Sequence, residues 1–208
     1  WSHAQPFGAD DILFWYKDVL HNKELTPTLP GWIKNADGTP AKVEKVDDNT
    51  VRFTYAAPAT LFLTAVANQD GADRTFAMFL PAHYLKKFHP SHTPKADVDK
   101  AAQAGGVKTW TELFAARNAP FENPERPTMG AWVAVSRISD QVFTLRRNPY
   151  FVGVDPDGNV VPCGFWFGEQ PLGNLTEQRF EQIWTSPAWA ALRAEWRAGR
   201  PRQACRTC

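Results

Sequence analysis

Long hydrophobic runs are missing from this 208-residue sequence. Its longest apolar stretches, such as 56–67, are broken by Pro58, Thr60 and Thr64, and fall short of the roughly 20 consecutive apolar residues a membrane-spanning helix needs. An excess of one charge is missing too: the formal net charge is +1, which gives nucleic acid no electrostatic footprint. No phosphate-cradling loop is written, because Gly105-Gly106 lacks a following Lys-Ser/Thr. Ser2, His3 and Asp10 form no nucleophile constellation on any spacing, and there is no internal repeat. No basic-then-apolar leader precedes Trp1, so the start is read as a cut in a mature protein or in a longer parent. Cysteine is scarce: Cys163, Cys205 and Cys208 all lie in the final quarter. An odd count with a C-x-x-C pair argues against a plain disulfide framework and for a metal or redox site.

What is present supports a globular chain. Hydrophobic residues make up 43% and charged residues 22%, enough apolar content for a core, and the length suits one large domain or one domain with a small appendage. Nine Trp and fourteen Phe suit burial first and ligand grooves second.

Periodicity places the elements. Residues 9–22 carry Ile12, Trp15, Tyr16 and Val19 at helical spacing, with Asp10 and Asp11 in the first turn and Gly8 at the N-cap. Val43 and Val46, then Val51, Phe53 and Tyr55, alternate with polar residues around Asp47-Asp48-Asn49 and predict a β-hairpin. The run 61–67 reads equally as helix or strand. Pro81 opens a helix through Tyr84, Leu85 and Phe88. Two more helices are expected over 95–104 and 109–117, the second with Thr109 and Glu112 as a capping box. Residues 132–135 and 142–146 predict a second hairpin around Ser139-Asp140. In the tail, Thr176 is expected to cap a helix stapled by Leu175 and Phe180, and Ser186-Pro187 to open another bearing Trp189, Leu192 and Trp196. Gly199 stops it, and Arg193, Arg197 and Arg200 near its end complement the helix dipole. His83, His89 and His92 read as a solvated loop: Pro90 interrupts the turn on which two of them would meet, and the spacing supplies no third zinc ligand.

The order of several strings then adds a family. Trp1-Ser2, Pro6-Phe7, Ala9-Asp10-Asp11-Ile12 with Phe14-Trp15-Tyr16, Val43-Glu44-Lys45-Val46-Asp47-Asp48, Thr50-Val51-Arg52-Phe53, Leu80-Pro81-Ala82-His83-Tyr84-Leu85, Gly130-Ala131-Trp132 and Arg147-Asn148-Pro149-Tyr150-Phe151 together resemble the family 5 extracellular solute-binding proteins of ABC importers, the oligopeptide, dipeptide and nickel binders. The resemblance covers 1–157 and implies part of the first lobe of a two-lobed α/β clamp. Its implied partners are a peptide or small solute and a membrane permease, and its implied location is periplasmic or extracytoplasmic. Most groups that hold the ligand in that family come from parts not matched here, so Trp132 stands as the aromatic candidate for the cleft, beside the commoner use of Trp in a core. Gly8, His3-Ala4 and Ala131 depart from the residues usual at those places.

The tail, 157–208, carries Asp157-Gly158-Asn159-Val160-Val161-Pro162-Cys163, Leu172-Gly173-Asn174-Leu175, Glu181-Gln182-Ile183-Trp184, Ser186-Pro187 and Cys205-Arg206-Thr207-Cys208. It resembles the SPASM-type auxiliary domain that follows radical-SAM enzymes. That resemblance implies that Cys163, Cys205 and Cys208 hold a 4Fe–4S cluster in a cytoplasmic setting. Thiolates are soft anionic ligands for iron–sulfur clusters and for zinc. Three leave one iron open, or leave zinc in need of an outside fourth ligand; a Cys205–Cys208 disulfide and three free thiols are the bland alternatives. The upstream cysteine usual in that family is absent here, as is the catalytic C-x-x-x-C-x-x-C string, so no radical chemistry and no catalysis are expected.

The expected fold class is therefore α/β (α+β), with a partial binding-protein lobe over 1–157 and a mainly helical, cysteine-bearing tail over 158–208. The two stretches read as a chimera joined at Asp155-Pro156-Asp157-Gly158-Asn159, and a natural fusion, a mis-assembly and an artificial origin all remain open. An incomplete lobe leaves sheet edges and apolar faces uncovered, so self-association is expected.

Overall fold

The computed structural model describes residues 1–67, 78–148, 150–151, 153–154, 157–162, 170–200 and 202. Its secondary structure is mixed α and β, as the sequence predicts, and falls into two compact units: Pro6–Arg126, and Trp1–Gln5 together with Pro127–Cys208.

The unit Pro6–Arg126 starts with α1 (Ala9–Phe14), which continues as a π-helical segment, Trp15–Leu20. The predicted amphipathic helix is thus one element with two windings, and its buried residues are Ala9, Asp11, Ile12, Phe14, Trp15 and Leu20. Gly8 is required for a reason the sequence does not show. The Ala9 amide donates to the Asp48 carbonyl at 2.9 Å, and a Cβ on Gly8 would lie 2.8 Å from that same oxygen. The hairpin β1 (Lys42–Asp47) and β2 (Thr50–Thr54) pairs Val43 with Phe53 and Lys45 with Val51. Asp47 Oδ1 accepts the Asn49 amide at 2.8 Å, which fixes the turn. The register shifts between Lys45 and Asp47; Val46 is the extra residue of this bulge and is exposed rather than part of the buried face.

The ambiguous run 61–67 contains a helix, α2 (Phe62–Ala67). Pro81 precedes α3 (Ala82–Leu85), which tightens into a 3₁₀ turn at Lys86–Phe88. Next come α4 (Lys95–Ala104) and α5 (Trp110–Asn118). The capping box on α5 forms as predicted: Thr109 Oγ1 accepts the Glu112 amide at 3.2 Å, and Glu112 Oε2 accepts the Thr109 amide at 3.3 Å. These elements pack a core that runs from Ile12 through Ile33, Leu80, Leu85 and Val98 to Phe114. Trp15 stacks on Trp32 with the rings 7° from parallel. Buried polar groups here are bonded: Asp11 Oδ1 accepts the Ala82 amide at 2.9 Å, and Asn123 Nδ2 donates to the Tyr84 hydroxyl at 2.8 Å.

In the other unit, Ser2 and Thr128 tie the chain's first residues to the later segment through Ser2 N–H to Thr128 O at 2.8 Å and Thr128 N–H to Ser2 Oγ at 3.2 Å. The second predicted hairpin is β3 (Trp132–Ala134) with β4 (Leu145–Arg147), pairing Trp132 with Arg147. Buried Asn148 explains part of the Arg-Asn-Pro-Tyr string: its Nδ2 donates to the Gly130 carbonyl at 2.8 Å, and its Oδ1 accepts the Tyr150 amide at 3.0 Å. A third hairpin, not predicted, pairs β5 (Gly153–Val154) with β6 (Val160–Val161). Gly158, at φ +82°, occupies the left-handed conformation between them.

The tail corrects one expectation. Thr176 caps no helix. Its amide and hydroxyl both donate to Asn174 Oδ1, at 2.7 and 2.6 Å, so this segment is an Asx turn, and α6 (Phe180–Trp184) begins four residues later with Arg179 at its N-cap. Leu175 and Phe180 remain exposed, so the staple does not form as expected. The last helix, α7 (Pro187–Arg197), does start as predicted: Ser186 Oγ accepts the Trp189 amide at 3.3 Å and Pro187 stands at the first position. Val160, Ile183, Trp189 and Leu192 make the buried cluster, with Trp184 and Trp196 packed against it.

Candidate functional site

Cys163, Cys205 and Cys208, the sequence's metal candidates, lie outside the described residues. The described residue next to Cys163 in the sequence is Pro162. Its carbonyl accepts a bond from the Arg147 guanidinium, which lies 4.2 Å from the centre of the Trp196 ring. Arg147 comes from β4 and Trp196 from α7, so a cation is seated one residue before Cys163. Among the described residues, the Nε of Arg147, Nε1 of Trp189 and Nε1 of Trp196 are buried donors with no hydrogen-bond partner. Trp132, the cleft candidate, is half-buried on β3.

The unit Pro6–Arg126 brings together a cluster the sequence does not assemble. His89 is 1% exposed, contrary to the expected solvated loop. Its rings of neighbours, Phe14, Trp110 and Phe114, close around it edge-on. Both ring nitrogens are engaged: Ser91 N–H donates to Nδ1 at 3.2 Å, and Nε2 donates to the Asp18 carbonyl at 3.0 Å. The Ser91 donor fixes this tautomer, since Nδ1 must then offer a lone pair. Burial pushes the His89 pKa down, against the opposing pull of the Asp18 carbonyl and carboxylate. His92 is exposed and its Nε2 lies 2.9 Å from Asp18 Oδ2. The third ligand atom that the spacing of the histidines could not supply is thus Asp18, on the π-helical segment. One ligand atom from each of Asp18, His89 and His92 lies within 4.8 Å of the others. Asp18 is separated from these histidines by 71 and 74 residues; only tertiary packing brings it there, and no local pattern could have announced it.

An open cavity of about 360 Å³ is lined by Phe7, Ile12, Val51, Phe53, Phe62 and Phe79 among others, with Asn49 as its polar side chain. Among the described residues no helix is long and apolar enough to cross a membrane.

Comparison with known proteins accounts for most of the chain. Residues 148–208 match an iron–sulfur cluster-binding domain, the SPASM domain, and residues 1–164 match the middle part of the bacterial extracellular solute-binding proteins, family 5. A periplasmic alpha-galactoside-binding protein of Rhizobium meliloti (strain 1021) is 32% identical over 164 residues, which are 78% of this chain and 20% of that protein. The solved structure of an oligopeptide-binding protein, OppA, is 39% identical, with a TM-score of 0.63, over 74% of this chain and 23% of that one. The chain therefore spans about a fifth to a quarter of the length of these relatives. On the match over 1–164 it belongs to the family 5 bacterial extracellular solute-binding proteins.

Proposed function

We propose that the chain supplies part of the solute-holding lobe of an extracytoplasmic binding protein that delivers its cargo to an ABC permease, and that it has no catalytic activity. The observation that carries this reading is the family match over 1–164, joined to a 39% identical solved relative of the same local fold. The names of the relatives, an alpha-galactoside binder and an oligopeptide binder, define the candidate cargo: elongated solutes rich in hydroxyl or amide groups, held by hydrogen bonds and stacked against aromatic side chains. Trp132 remains the aromatic candidate for that contact. The lobe occupies residues 1–157 in this reading and the cysteine-bearing tail 158–208. Because the chain spans only 20% to 23% of these relatives, a two-lobed clamp needs more than the stretch matched here. Calorimetry of the full chain against short peptides and α-galactosides tests this. Weak heats or none are expected, and a saturable dissociation constant in the micromolar range would show that the matched stretch alone makes a cleft.

A second reading concerns the tail. Its support is the iron–sulfur domain match over 148–208 together with Cys163 and the Cys205-x-x-Cys208 pair. Three thiolates suit a 4Fe–4S cluster with one iron open, or zinc with a ligand from outside, and the Arg147 cation seated beside Pro162 suits the net negative charge of such a group. A bound cluster would supply electron transfer; the chain's own residues would hold it and balance its charge. Anaerobic reconstitution followed by iron and sulfide analysis tests this. Near-stoichiometric iron with broad visible absorption is expected, and a colourless, iron-free protein would remove the cluster, leaving zinc to be tested by metal analysis.

A further inference from the structure

We propose that Asp18, His89 and His92 form a binding site for a borderline divalent transition-metal ion, with zinc as the reference ion, independent of the cysteines. One carboxylate oxygen and two imidazole nitrogens lie within 4.8 Å of one another. Ligands at about 2.0–2.2 Å from one zinc ion are separated by roughly 3–4 Å, so the widest pair in the cluster needs to close by no more than about 1–2 Å. The pieces that would move are short. His92 is exposed, and it already meets Asp18 Oδ2 at 2.9 Å; an ion would take the place of the proton now shared there.

The chemistry of the donors sets the choice of ion. Two neutral imidazoles and one carboxylate favour zinc, nickel or copper over magnesium or calcium, which prefer all-oxygen shells. Three protein ligands leave a fourth tetrahedral position for water or a solute group. The aromatic rings of Phe14, Trp110 and Phe114 around His89 strengthen the attraction between the ion and the Asp18 carboxylate by lowering the local dielectric. Rigid framing comes from the core, because Phe14, Trp110 and Phe114 belong to the same buried cluster as Leu85. Asp18 lies on the π-helical segment; such windings are frequent where a helix must redirect a side chain toward a site. Binding has an opposing term. His89 joins only by giving up one of its two hydrogen bonds, to Ser91 or to the Asp18 carbonyl, so the affinity is predicted to be below that of a fully preformed zinc site.

The test separates this site from the thiols. In the full chain with Cys163→Ser, Cys205→Ser and Cys208→Ser, cobalt(II) is titrated as a spectroscopic stand-in and zinc is used to displace it. Expected are one cobalt per chain, visible d–d bands without sulfur charge-transfer absorption, and a melting temperature raised by zinc. His92→Ala and Asp18→Asn should each weaken binding by more than about tenfold while keeping the circular dichroism of the parent, since His92 is exposed. Absence of saturable cobalt binding in the cysteine-free chain, or equal affinity in the parent and both variants, would overturn the proposal.

Discussion

The unit Pro6–Arg126 and the unit made from Trp1–Gln5 with Pro127–Cys208 treat their buried polar atoms differently. In the first, Asp11, His89 and Asn123 are all buried and all bonded, to Ala82, to Asp18 and Ser91, and to Tyr84 and Arg117. In the second, Asn148 is equally well served, but among the described residues Arg147 Nε, Trp189 Nε1 and Trp196 Nε1 are buried without partners. The cores differ in the same sense. One is a continuous cluster from Ile12 to Phe114; the other centres on Val160, Ile183, Trp189 and Leu192. An orphaned donor costs roughly 1–3 kcal/mol, so these donors weigh against the second unit, and we expect it to open first under denaturant.

Substitutions can break or sharpen that contrast. The largest effect is expected from Leu85→Ala. Leu85 has no exposed surface, and removing it should destabilise the first unit by about 2–5 kcal/mol, read as a fall in the urea midpoint of the main transition. Asp11→Ala comes next. It strands the Ala82 amide in the core and should cost about 1–3 kcal/mol, with amide exchange at Ala82 accelerated. Thr109→Ala and Ser186→Ala remove matching N-caps, one from each unit, and each should cost about 1 kcal/mol. A much larger loss from Ser186→Ala would show that the second unit has less in reserve than its twin cap implies. The smallest effect is expected from Trp196→Phe. It keeps a ring under the Arg147 guanidinium and removes an orphaned N–H, so the lost volume and the relieved donor should cancel to within about 1 kcal/mol. A loss well beyond that would mean that the indole N–H is satisfied in solution.

Caps and hairpins were legible in the sequence because their causes are local. Thr109 with Glu112, Ser186 with Pro187, and the alternation around Asp47-Asp48-Asn49 each lie within a few residues of what they stabilise. The misplaced start of α6 has a local cause too, but one of competition: Asn174 captures Thr176 in an Asx turn before it can serve as a cap. The π-helical winding of Trp15–Leu20 and the need for Gly8 beside the Asp48 carbonyl arise from packing and leave no mark on hydrophobic period. The metal cluster was half legible. His89 and His92 stand out as neighbours, while their partner Asp18 sits on an element folded in from 71 or more residues away. Burial of His89 follows from that same packing and not from its sequence surroundings, which are rich in Lys and Pro.

The bonds between Ser2 and Thr128 have a consequence for how the chain is made. Pro6–Arg126 is continuous and can condense as it leaves the ribosome. The unit that contains Trp1–Gln5 must keep those earlier residues in hand until Thr128 is synthesised, so it closes after Pro6–Arg126 has been made, and grafting 127–208 onto another host would leave it without the segment that closes it.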